Sequence, residues 1–76
     1  MLASALDHLV RGIVDHPDDV RVDRSDSSRG EVLEVHVHPE DLGRVIGRQG
    51  RTAKALRTVV AALADGRRVR VDVVDD

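Results

Sequence analysis

No Phe, Tyr or Trp occurs anywhere in the chain. Stacking the bases of a single strand on aromatic rings, the device of many nucleic-acid-binding sheets and barrels, is therefore excluded. Cysteine is absent as well, so neither a disulfide nor a thiolate metal site can supplement the core, and no thiol constrains the redox compartment. Long apolar runs are also missing. The opening MLASALDHLV is interrupted by Asp7 and His8, carries no basic lead-in, and falls short of the roughly 20 apolar residues that a membrane span needs. These absences predict a soluble, cytoplasmic protein that does not enter a membrane.

What remains is short and charged. A chain of 76 residues is long enough for one domain, residues 1–76, which buries only about 60% of the surface its unfolded form exposes. The net charge of −2 hides an uneven distribution. Residues 1–43 hold ten carboxylates against four arginines, a balance of −6, and residues 65–76 stand at −1. Residues 44–64 carry Arg44, Arg48, Arg51, Lys54 and Arg57 with no acid, a balance of +5. Local potential steers ligands more than the sum does, so this segment is where an anion would go.

Hydrophobic periodicity lays out the elements. Leu2, Ala5, Leu6, Leu9, Val10, Ile13 and Val14 recur at helical spacing and predict a helix over 2–15, ended by the restriction that Pro17 places on His16. Residues 20–24 alternate as a short strand, and 25–30 form a polar, turn-rich connection. From Glu31 to His38 the alternation is clear, with Leu33, Val35 and Val37 on one face and Glu34, His36 and His38 on the other. Pro39 can open a helix, Glu40 and Asp41 suit its positive end, and Leu42, Val45 and Ile46 continue it to Gly47. Ala53, Leu56, Val59, Val60 and Leu63 form a second apolar stripe and predict a longer helix over 51–64, with Gly66 at its C-terminal cap. Val69, Val71 and Val73 then mark a final strand. The order predicts an α+β domain, a three-stranded sheet with helices packed on one face.

Between the two later helices stands VIGRQG, Val45 to Gly50. One glycine after a short helix is a common cap. The second, after Arg48 and Gln49, falls where the next helix begins, and the amides of a helix start attract phosphate. Arg44, Arg48, Arg51 and Lys54 surround this loop with cations, and Val45 and Ile46 offer an apolar wall beside it.

VIGRQGRT resembles the helix-GxxG-helix core of the KH domain, and the element order is that of the type II KH fold (α-β-β-α-α-β). The stretches HPDDVRV, HPEDLGRVIGRQGRTAKALRT and RRVRVDVVDD are similar to the small stand-alone bacterial KH proteins of the KhpA family, so the resemblance spans the whole chain. It implies a single-stranded RNA-binding protein, an RNA chaperone and post-transcriptional regulator, whose groove takes about four nucleotides. On this resemblance Gly47, Arg48, Gln49 and Gly50 clamp the backbone, Val45 and Ile46 form the helix side of the groove, and Arg51, Thr52 and Lys54 begin the following helix. It also implies self-association as a homodimer, or pairing with a second, KhpB-like KH protein. Relatives often carry a larger apolar residue where Ala53 stands.

Two other readings compete. A helix-turn-helix would use Arg51, Lys54 and Arg57 on a recognition helix in duplex DNA, but it wants a helical bundle rather than strands on both sides of the motif. A protein-protein dimerisation module with a vestigial loop is the other. No cofactor, metal or catalytic group is expected. His36 and His38 share a strand face without enough convergent donors for zinc and are read as exposed strand histidines, and the GxxxxGKS/T pattern of nucleotide hydrolases is missing.

Overall fold

The computed structural model describes residues 2–74. Helix α1 spans Leu2–Arg11, strands β1 and β2 span Arg21–Ser27 and Gly30–His36, helices α2 and α3 span Leu42–Ile46 and Arg51–Ala64, and β3 spans Val69–Val73. The strands form one sheet in the order β1-β2-β3. β1 pairs antiparallel with β2, with Val22 opposite Val35, and β2 pairs parallel with β3, with Leu33 opposite Val71. Parallel neighbours need a crossover of a dozen or more residues. Here α2, the glycine loop and α3 make up that crossover, which fixes the loop at one end of the helical layer.

The core lies between this layer and one face of the sheet. Leu2, Leu6 and Val10 from α1, Val45 from α2, and Leu56, Val60 and Ala64 from α3 close over Leu33, Val35 and Val71. On α3, Ala53, Leu56, Val60 and Ala64 at three- and four-residue spacing face the core, whereas Val59 and Leu63, expected in the same stripe, lie beside it and are exposed. Ala53 is itself buried there.

Several boundaries differ from the sequence reading, among them the start of α2, which is Leu42 and not Pro39. α1 stops at Arg11 rather than at residue 15: Gly12 is a poor helix residue, and the Ile13 N–H turns to the Val10 carbonyl three residues back, at 3.0 Å. Ile13 and Val14 still pack against the core, so the apolar stripe outlasts the helix. β1 runs on to Ser27, leaving only Ser28 and Arg29 as the hairpin turn. Its residues from Asp23 onward are exposed, so no alternation marks this half as strand. The β2 strand ends at His36, and Val37 and His38 lie outside it. His38 instead caps a 3-10 turn over Pro39–Asp41 that precedes α2, its Nδ1 accepting from the Glu40 N–H. At the end of α3, Asp65 takes the left-handed cap conformation ahead of Gly66.

Candidate nucleic-acid interface

α2 ends at Gly47, whose N–H reaches the Gly43 carbonyl at 2.8 Å. Its backbone sits at φ 80°, ψ 169°, a region essentially confined to glycine. A Cβ here would strike the Thr52 Oγ1 and lie 2.7 Å from the Thr52 backbone nitrogen. The close approach that the first glycine allows is thus to the start of α3 in the same chain. Gly50 does something different. It is left-handed at φ 75°, yet no atom lies within 4 Å of where its Cβ would be. Between them Arg48 and Gln49 are exposed, Gln49 itself left-handed at φ 57°. The tip is closed by the Gly50 N–H on the Gly47 carbonyl at 3.1 Å.

The cations around this loop divide into two groups. Arg44 reaches back to the Asp15 carboxylate at 3.2 Å, and Arg57 turns to the sheet edge, its Nε donating to the Val71 carbonyl at 3.1 Å. Among the described residues no ion pair engages Arg48, Arg51 or Lys54, all exposed. Three unneutralised cations therefore flank the loop and the first turn of α3, where the positive end of the helix dipole adds to the field. Thr52 is half-buried beneath Gly47. Val45 is fully buried in the core, so it anchors α2 instead of offering a groove wall. Ile46, 38% exposed, carries the apolar surface beside the loop.

The other end of α2 is held by a contact that sequence patterning does not reveal. Asp41, 1% exposed, accepts from the Asp15 N–H at 3.2 Å, from the His16 N–H at 2.9 Å and from His16 Nδ1 at 2.9 Å. Burial pushes the Asp41 carboxyl up, but these donors, His16 foremost, outweigh it and hold the group below the usual carboxylate range. The bond to Asp41 in turn raises the His16 pKa, partly opposed by desolvation and helped by the charges of Asp41, Glu40 and Asp19. His16 also stacks on His38, ring centroids 4.0 Å apart and planes 15° from parallel. The clue in the sequence is a near-repeat, His16-Pro17-Asp18-Asp19 and His38-Pro39-Glu40-Asp41, each opening a 3-10 turn.

A mixed three-stranded sheet covered on one face, with a two-glycine loop in the helical crossover between its parallel strands, defines a type II KH domain. The sheet also displaces the helical bundle that a helix-turn-helix would need. Comparison with known proteins agrees: a family model described as the KH domain of KhpA/KhpB matches residues 3–74. The chain belongs to the KhpA/KhpB KH-domain family. It is 82% identical over 76 residues to the RNA-binding protein KhpA of Leifsonia xyli subsp. xyli, covering all of both chains. With the RNA-binding protein KhpA of Mycobacterium tuberculosis it shares 67% over 75 residues, 99% of this chain and 92% of the relative. With that of Halalkalibacterium halodurans it shares 51%, over 97% of this chain and all of the relative. No solved structure matches the chain.

Proposed function

We propose that this protein binds single-stranded RNA without chemistry, as an RNA chaperone and post-transcriptional regulator in the cytoplasm. Backbone phosphates lie on the loop Gly47–Gly50 and on Arg48, Arg51 and Lys54, with Ile46 and Thr52 beside them. The observation that carries this reading is the set of three unpaired cations gathered at the one glycine loop of an otherwise acidic molecule. Electrostatics then confine RNA to this end, since residues 1–43 stand at −6 and repel it elsewhere. Specificity is left to shape and to the apolar surface of Ile46, because the chain has no aromatic platform.

Replacing Arg48 and Gln49 together with Asp tests it. Both side chains are exposed at the loop tip, where substitutions usually change stability by within about 0.5 kcal/mol. The expected result is an unchanged circular dichroism melt with affinity for a single-stranded oligoribonucleotide reduced at least about tenfold, by loss of charge and gain of repulsion. A folded double variant that binds as the parent does would show that RNA lies elsewhere.

The family's pairing habit is proposed here as well: a homodimer, or a heterodimer with a KhpB-like KH protein. One groove of about four nucleotides without stacking is a weak site, and joining two raises avidity through effective concentration. The surface suited to it is the outer side of α3. There Val59 and Leu63 are 42% and 54% exposed, and Val59 borders a groove of about 350 Å³ shared with Leu9, Ile13 and Ala55.

A further inference from the structure

We propose that His16, His38 and Glu40 form a binding site for a single divalent transition-metal ion of the zinc and nickel kind, at the junction of the two His-Pro turns. One ligand atom from each of the three residues lies within 4.8 Å of the others. The two imidazoles come from segments 22 residues apart, each standing immediately before a proline that opens a 3-10 turn. Those turns bring the rings face to face.

A buried group already orients one of the ligands. Asp41 is fixed by two backbone N–H donors and takes His16 Nδ1 at 2.9 Å. A carboxylate on Nδ1 selects the tautomer whose Nε2 carries the free lone pair, raises its basicity, and is the usual outer partner of a metal-bound histidine. His38 is held less firmly, by one exposed bond from the Glu40 N–H to its Nδ1 at 3.1 Å and by its stack on His16. The stacked planes do not converge on a common point. His38 is the ring that turns, exchanging that bond for the ion. Glu40 is exposed and supplies an oxygen. Three protein donors and one water make an open tetrahedral site, and imidazole with carboxylate suits zinc, nickel or copper rather than magnesium or calcium.

The surrounding field favours a cation. Asp18, Asp19 and Asp41 lie in these two turns and Asp15 just before the first, while the two cations that reach them are already paired: Arg44 with Asp15, and Arg11, which donates to the Pro17 carbonyl, with Asp7. An anion would meet repulsion here. A bound ion would tie the connection after α1 to the start of α2, whose far end carries the glycine loop, and so stiffen the base of the RNA site.

The experiment uses the full chain without a histidine tag, stripped with chelator, and titrates Zn²⁺ by calorimetry near neutral pH. One ion per chain is expected. Binding should be at least about tenfold weaker in His16→Ala, His38→Ala and Glu40→Gln, and unchanged in His8→Ala and His36→Ala. No binding, an affinity untouched by the first three changes, or equal binding of Mg²⁺ would overturn the proposal. Should a variant fail to fold, Ni²⁺ added to the isotope-labelled parent decides. Resonances of residues 15–19 and 38–41 should broaden first, and broadening centred on His8 or His36 refutes the site.

Discussion

The two glycines of the loop look alike in sequence and differ in what requires them. Gly47 has an essentially glycine-only backbone and Thr52 where a side chain would go, whereas Gly50 is left-handed beside open space. Gly47→Ala should therefore cost well over the 1–2 kcal/mol typical of forcing a non-glycine residue into a left-handed conformation. Gly50→Ala should cost about that amount and no more. Urea denaturation of the two variants checks it. Equal costs would mean that Thr52 does not crowd Gly47. The RNA effect should run the other way: Gly50→Ala adds a methyl at the loop's open side, so affinity falls in a protein that is still folded. Sequence spacing located this loop. It could not divide the labour within it, because the crowding of Gly47 by Thr52 depends on how the chain returns after the tip.

At the scale of elements, the start of α2 is joined to the connection after α1 by Asp41 and His16, and this contact sets a pH dependence. The folded pKa of His16 is raised above its ordinary 6.5, so its contribution is complete below that value and lost as pH rises through the higher folded one. The folded pKa of Asp41 is lowered from 3.8. Its contribution is present above 3.8 and lost only as pH falls through the lower folded value. Metal-free protein should therefore melt at lower temperature as pH is raised from about 6 to about 9, and Asp41→Asn should flatten that slope while lowering stability throughout. Calorimetric melts in chelator decide the matter; an identical slope in the variant would detach His16 from Asp41. Within the crossover, the bounds of α3 were legible from its apolar spacing, but not its buried face, since Val59 and Leu63 of the expected stripe are exposed and Ala64 is buried. The outer half of β1 was not. It extends beyond cover, and an exposed strand has no apolar partner to impose a period of two on its sequence.

For the whole molecule, charge and oligomeric state shape what the single groove can do. Neutralising about three phosphates with Arg48, Arg51 and Lys54 releases about 0.7 of a counterion for each, so a log-log plot of affinity against salt should have a slope of about −2 for one chain on a single strand. A much steeper slope would place more of the protein on the RNA. If two chains pair through α3, Val59→Asp should leave a folded monomer by sedimentation and weaken binding to RNA long enough to span two grooves, with little effect on a short oligonucleotide. A parent chain that sediments as a monomer at working concentration would remove the basis of the homodimer.

The sequence alone determined the order of elements, the place of the loop and the gathering of positive charge around it, because periodicity and composition are local and a helix or strand is built from neighbours. The tertiary structure decided the rest. It committed Arg44 and Arg57 to contacts of their own and left Arg48, Arg51 and Lys54 available. It drew Val45 into the core. It also took His38 off the strand where alternation had placed it and set it against His16, with Asp41 reaching back 25 residues to hold that ring. A contact of that span leaves no periodic trace in a single sequence, since what fixes it is the packing of a helical layer on a sheet and the need of a buried carboxylate for donors.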